Sequence, residues 1–289
     1  ARSWDVQGKR RDKGGILIYV SEDKRNWKLL QELVPKKDFG YMWECPDIFT
    51  LEGKRVLSFC HQGLEAQEER FQNIYQSGYV FLTEKEDLQD AFREWDMGFD
   101  FYAPQTFETE DGRRILIGWA GVPDTTQTHR NLSVKNGWQH CLTIPGELIC
   151  RDGKIYRMPV RELNDLEWEK AVPENGRYNW SDRILKAVFF KIQGKRRQIC
   201  VGTEENHQMI LAEGNRVEIS FLSKEGEPAA CGGGRGRRIG RVEKQVEDLL
   251  ILIDSSIVEI FVNQGEMVFT TRIYLEKNER EISFQQWEN

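Results

Sequence analysis

A chain of 289 residues has room for one large domain or two ordinary ones, each with its own apolar core. Its 41 Lys and Arg stand against 47 Asp and Glu, a net charge of −6, so it lacks the basic surplus of a nucleic-acid binder held by phosphate contacts. Hydrophobic residues at 39% and charged residues at 30% fit globular domains rather than disorder. The longest aliphatic run, Leu249 to Ile253, is much too short to cross a bilayer, so no membrane partner is expected. No basic-then-apolar leader precedes the first predicted element, and the expected location is cytoplasmic. Cys45, Cys60, Cys141, Cys150, Cys200 and Cys231 show no CxxC spacing and read as reduced thiols. His61, His129, His140 and His207 are scattered, and no glycine loop suits a phosphate, so neither a metal nor another cofactor is expected. The sequence opens at Ala1 without an initiator Met and enters a strand-like segment at once, which suggests a processed or incomplete N-terminus.

In chain order, Ile16–Val20, Val56–Phe59, Tyr79–Leu82, Ile115–Trp119, Cys141–Ile144 and Ile155–Met158 read as strands. Each is short, rich in β-branched and aromatic residues, and bounded by Gly, Asp, Asn or Pro. The same texture continues through Ala187–Ile192, Ile199–Val201, Val217–Phe221, Leu249–Ile253, Ile257–Val262 and Met267–Tyr274. Helical periodicity is weak; Glu86–Trp95 predicts one short helix and Val160–Leu166 a turn or two. The fold class is all-β. Up to about residue 165, long loops carrying Trp, Tyr, Glu and Asp separate the strands, as in propeller blades. Beyond it, compact turns such as Gln193-Gly194-Lys195 and Asn263-Gln264-Gly265 suggest a β-sandwich. The expected division is therefore 1–165, a linker at 166–172, and 173–289. Gly232–Arg238 resembles an arginine–glycine RNA-binding segment but, as a single short copy between strands, reads as a flexible loop. The acidic Glu65–Glu69 run reads as a solvated loop.

Three segments carry candidate chemistry. In Met42-Trp43-Glu44-Cys45-Pro46-Asp47-Ile48-Phe49, a carboxylate stands between Trp and Cys with Pro fixing the chain behind it. Apolar neighbours disfavour the charged form of a carboxylate, which suits a general acid near neutral pH; an ordinary strand-end Glu is the competing reading. Gly98-Phe99-Asp100-Phe101-Tyr102-Ala103-Pro104-Gln105-Thr106-Phe107 sets the polar tips of Asp100, Tyr102 and Gln105 among aromatics on one loop. Ile115-Leu116-Ile117-Gly118-Trp119-Ala120-Gly121-Val122-Pro123-Asp124 ends a strand in Gly-Trp, where a small residue lets an indole lean over a cavity mouth. Strand-end packing explains each of these equally well when taken alone.

Taken in order, WECPDIF, then Gln62–Leu82, then Gly98–Asp124 resemble glycoside hydrolase family 32. The resemblance continues through Cys141–Leu148 and Met158–Leu163 to Ile253–Asn263, and so spans essentially the whole chain. Within the family it is most similar to bacterial intracellular members. It implies a five-bladed β-propeller followed by a β-sandwich, with residues 1–165 supplying the C-terminal blades. It also implies retaining hydrolysis of the β-fructofuranosyl bond of sucrose 6-phosphate or sucrose, a small-molecule substrate. Two carboxylates about 5–5.5 Å apart perform such chemistry. Glu44 matches the family's acid/base and Cys45 would support it. Tyr102 and Trp119 match sugar-site residues, Asp47, Asp100 and Gln105 are further candidates around them, and Trp43 is expected to pack behind the acid.

The resemblance further implies an Asn-Asp-Pro segment holding the nucleophile and an Arg-Asp-Pro segment binding fructosyl hydroxyls. Neither occurs in this sequence, since Arg11-Asp12-Lys13 lacks the Pro. The chain is expected to begin inside the second blade, with a missing N-terminal segment as its partner. Two other readings compete: a fructan hydrolase of the inulinase or levanase type, and a non-catalytic sugar-binding or structural remnant.

Overall fold

The computed structural model describes residues 6–8, 11–83, 88–122, 131–165, 168–170, 176–181, 185–223 and 226–286. Pro123 and Asp124 of the third motif, Glu86 of the expected helix and residues 166, 167, 171 and 172 of the expected linker lie outside this set. The molecule is all-β: two antiparallel propeller blades and a strand hairpin, followed by a two-sheet sandwich.

The hairpin pairs β1 (Ile16–Val20) with β2 (Lys28–Leu33). Ile16 points inward against Phe39 and Trp43, while Leu17, Tyr19, Leu29 and Leu30 remain exposed. The first blade runs β3 (Met42–Leu51), β4 (Lys54–Gln62), β5 (Tyr75–Phe81) and β6 (Arg93–Glu94). Glu52 and Gly53 join β3 to β4 with φ of 48° and 76°, the left-handed pair of a two-residue hairpin turn. Of the described residues in the helix expected at Glu86–Trp95, Leu88–Ala91 form α1 and the rest are not helical. Beyond it Phe92 and Trp95 are buried in two different clusters, and Arg93 and Glu94 pair with β5.

The second blade holds β7 (Phe101–Glu108), β8 (Arg114–Ala120), β9 (Cys141–Leu142), β10 (Gly146–Arg151) and β11 (Lys154–Pro159). Its order is β7-β8-β10-β11, with β9 laid against the end of β8 at Trp119 and Ala120. Phe49, Val56, Tyr79 and Trp95 of the first blade pack on Phe101 and Leu116 of the second. This places the starts of β3 and β7 side by side, and the candidate site lies there.

The sandwich follows in chain order as β12 (Trp168–Lys170), β13 (Arg177–Asn179), β14 (Leu185–Lys191), β15 (Arg197–Gly202), β16 (His207–Glu213) and β17 (Arg216–Ser220). It continues with β18 (Arg237–Arg241), β19 (Asp248–Ile253), β20 (Ile257–Val262), β21 (Met267–Arg272) and β22 (Glu281–Gln286). One sheet is ordered β12-β14-β19-β20-β21 and the other β13-β22-β15-β16-β17-β18. Val188, Ile199, Ile210, Ile251, Ile260 and Phe269 fill the space between them. Within the segment expected as linker, Trp168–Lys170 pair in parallel with Leu185–Ala187.

The seam between blades and sandwich is polar and closely fitted. Asp96 accepts from the backbone N of Gly98 (2.7 Å) and of Thr270 (2.8 Å), from Thr270 Oγ1 (2.6 Å) and from Arg157. A Cβ on Gly98 would stand 2.2 Å from the Thr270 carbonyl oxygen, so only glycine permits this approach. Four residues after Asp96, Asp100 binds Arg235 and Arg272, with all three side chains fully buried. Removing one partner from such a group costs about 3–5 kcal/mol, because a buried charge is left uncompensated. The segment read as a flexible arginine–glycine loop is thus a docking element: Arg235 donates to Asp100 at 2.7 Å, and Arg238 donates to Asn73 at 2.7 Å.

A candidate carboxylate site at two paired strand bulges

In both blades the first strand opens on the same backbone device. Glu44 pairs with Cys60 and Asp47 with Ser58, so the register slips by one across Cys45-Pro46. Tyr102 pairs with Trp119 and Gln105 with Ile117, the same slip across Ala103-Pro104. Cys45 (φ 48°) and Ala103 (φ 46°) sit in the left-handed region, which costs a non-glycine residue about 1–2 kcal/mol. Each is followed by a proline, which has no N–H to withhold from the ladder and so fits the unpaired position. The segment expected as a loop around Tyr102 is therefore a strand with a bulge. Its proline, a breaker in sequence, marks the bulge and not the strand's end.

The bulges bring Glu44 and Tyr102 together: the phenol donates to Glu44 Oε2 at 3.1 Å. Tyr102 is 5% exposed, and burial, with Cys60 and Glu44 nearby, pushes its phenol far above the usual value, so it remains a donor. Gln62 Nε2 donates to the Tyr102 hydroxyl oxygen at 3.5 Å, and the Tyr75 ring lies 5.9 Å from that of Tyr102. Cys45 and Cys60 share this cluster with Tyr102, Trp119 and Val122. Hydrogen bonding from the Cys60 thiol brings the Cys45 thiol down to about 7, against burial and Glu44, while Cys60 itself is driven up.

The other expected residues divide. Trp43, beside Glu44 in sequence, is buried, stacked on Phe59 at 4.3 Å and donating to the Phe39 carbonyl at 2.8 Å. Trp119 is half-buried opposite Tyr102, with its indole meeting the His140 ring edge-on at 5.0 Å. The small residue that makes room for the indole is Gly121, where a Cβ would stand 2.1 Å from the ring; Gly118 clears Phe101 instead. Asp47 reaches across the blades, accepting from Thr106 N (3.0 Å) and Thr106 Oγ1 (2.6 Å). Gln105 is exposed and donates to the neighbouring Pro104 carbonyl at 2.9 Å. The Asp100 carboxylate does not face the Glu44–Tyr102 contact. It is fully buried at the seam, where Arg235 and Arg272 outweigh burial and hold it below its usual range.

Sequence reasoning missed Cys60, Gln62, Tyr75 and His140. Cys60 alone had a readable signal: a two-residue Glu52-Gly53 turn fixes the hairpin register and sets Cys60 opposite the Glu-Cys pair. The other three arrive from separate strands and loops, with no local pattern to announce them.

Residues 4–159 match the glycosyl hydrolases family 32 N-terminal domain, and residues 212–289 match the glycosyl hydrolases family 32 C terminal. The chain belongs to glycosyl hydrolase family 32. It is 35% identical to a sucrose-6-phosphate hydrolase of Staphylococcus xylosus, an alignment covering 92% of this chain and 56% of that protein. It is 33% identical to the sucrose-6-phosphate hydrolase of Bacillus subtilis (strain 168), over 91% and 56% of the two chains. Among solved structures it resembles sucrose-6-phosphate hydrolase from Lactobacillus gasseri, with a TM-score of 0.77, 26% identity and coverage of 99% of this chain and 60% of that one. A Bombyx mori β-fructofuranosidase solved in complex with sucrose gives a TM-score of 0.74 and 25% identity, over 96% and 61% of the two chains. The chain thus spans a little over half the length of these relatives. The sequence motifs had pointed to this family, and the sheets are those of a family 32 propeller and sandwich.

Proposed function

We propose that this chain carries the proton-transferring side of a retaining β-fructofuranosidase site, with sucrose 6-phosphate or sucrose as substrate. The observation that supports it is the placement of Glu44. In a family 32 chain, this carboxylate sits on a rigid bulge, held through one oxygen by a buried phenol and flanked by two thiols. The second oxygen is then the one that carries the proton. In this reading Glu44 protonates the departing glycosidic oxygen and next removes a proton from the incoming water. The attacking carboxylate comes from the part of the relatives' length that this chain does not span. Trp119 forms an apolar wall for the sugar ring, and Cys45 with Cys60 backs the acid. The phosphorylated substrate is favoured by the names of the relatives quoted above, and a sugar phosphate places the enzyme in the cytoplasm. Among the described residues no helix is long and apolar enough to cross a membrane.

The test uses the complete protein, assayed on sucrose 6-phosphate, sucrose and inulin. Glu44→Gln is expected to keep substrate binding while lowering turnover by at least about a hundredfold. Unchanged turnover in that variant removes Glu44 from the mechanism, and a preference for inulin replaces the substrate assignment with a fructan.

A further inference from the structure

We propose that the sandwich sets the wall of the candidate sugar site through Arg272, a positioning residue that fixes Asn131 and His140 behind Trp119. Arg272 ends β21, fully buried, and its donors point in two directions. Towards the propeller's Asp100 it gives its backbone N (2.7 Å), Nε (2.8 Å) and Nη2 (2.8 Å). Towards the loop before β9 it gives Nη1 to Asn131 Oδ1. Tyr274 also turns its hydroxyl to that amide oxygen, at 3.4 Å.

Two donors on Oδ1 decide which way the Asn131 amide faces. Its NH2 group is directed at Gln139 Oε1 (3.1 Å) and at His140 Nε2 (3.4 Å). A nitrogen that faces a donor must be an acceptor, so His140 is neutral with its proton on Nδ1. The ring held this way presents its edge to Trp119 at 5.0 Å and 83°. The His140 backbone sits in the left-handed region, at φ 67°. The charged groups acting on this imidazole are Arg272 and Asp100. Burial and then Arg272 lower its affinity for a proton, and Asp100 opposes them. Asp100 completes the second branch: its carbonyl accepts from Gly121 N at 2.9 Å, two residues after Trp119. A side chain from the far domain thereby governs both flanks of the indole.

The alternative is that Arg272 only holds the two domains together, and an amide–imidazole readout separates the two. The His140 ring is followed by long-range nitrogen–proton NMR in the present chain, with the signal assigned through His140→Gln. The wild type is expected to show an unprotonated Nε2. Asn131→Ala leaves the Asp100–Arg272 pair in place, so it cuts the relay without opening the seam. In that variant and in Arg272→Gln, the titration midpoint of His140 is expected to rise by about one pH unit, with the Nε2–H tautomer appearing. In the complete enzyme Asn131→Ala is expected to raise KM about tenfold while kcat stays within about twofold, the pattern of lost uniform binding. A folded Asn131→Ala chain whose His140 keeps the wild-type tautomer and midpoint overturns the relay. The reach to sugar rests on the function proposed above, and the NMR readout needs no sugar. An intact relay in a complete enzyme that turns over no fructoside would therefore count against that function and not against Arg272.

Discussion

In β3 the register slips between Glu44 and Asp47, and in β7 it slips between Tyr102 and Gln105; in each a left-handed residue precedes a proline. The backbone solution is the same, but the side chains it carries are different. The first bulge presents a carboxylate and a thiol, Glu44 and Cys45, and the second a phenol and a methyl, Tyr102 and Ala103. Opposite them stand Cys60 in one blade and Trp119 in the other. A repeated bulge turns the first strands of two consecutive blades toward a common point, and in the proposed function the side chains at its positions divide the work: proton transfer from one blade, support and a sugar wall from the next.

The comparison breaks most severely where the two bulges touch. Tyr102→Phe removes the phenol that donates to Glu44 Oε2 but keeps the ring against Tyr75. A hydrogen bond to a charged group is worth about 1.5–3 kcal/mol, so turnover in the complete enzyme is expected to fall roughly ten- to a hundredfold. A Tyr102→Phe enzyme with wild-type kcat would show that the blades work independently.

The thiols sharpen the same comparison, since only the first bulge has them. Hydrogen bonding from Cys60 brings Cys45 to about 7, while burial pushes Cys141 and Cys231 up to about 12. Only the thiolate reacts, so alkylation of Cys45 should rise through a midpoint near pH 7 and leave the other two untouched in the folded chain. Cys60→Ala removes the donor and should carry the midpoint upward. Peptide mapping after a brief pH series of iodoacetamide pulses reads this directly, and equal labelling of Cys45 and Cys141 at pH 7 would contradict it.

These two regions also show how far the sequence could be read. The strands at Ile16–Val20 and Ile257–Val262 coincide with the structure, since their alternation and turn residues are local signals. Glu44, Tyr102 and Trp119 were legible as a set because their motifs recur in order in one family, and the structure brings the three into one place. Asp100 was misplaced for a physical reason. Its aromatic neighbours look the same whether they face a sugar or a domain seam, and its partners Arg235 and Arg272 stand more than a hundred positions away. The Gly232–Arg238 segment was misread for the complementary reason: an arginine is a solvent-loving residue until a buried carboxylate is found for it. Long-range pairing, not composition, decided both.

Asp47 and Gln105 occupy the same place in their two bulges, and the finest test compares them. Asp47 accepts two hydrogen bonds from Thr106 and so ties the first blade to the second, whereas Gln105 is exposed and bonds only to its neighbour's carbonyl. Asp47→Ala leaves the half-buried Thr106 N and Oγ1 without their acceptor, which costs about 1–3 kcal/mol of stability. Gln105→Ala removes a solvated amide and should stay within about 0.5 kcal/mol of wild type. Chemical denaturation of the present chain measures both, with a lower midpoint and an unchanged slope expected for Asp47→Ala alone. Equal losses would mean that the second bulge also holds its neighbour and that the likeness of the two extends from backbone to side chain. A loss confined to Asp47 would mean that one position of the repeated device joins the blades in the first copy and faces solvent in the second.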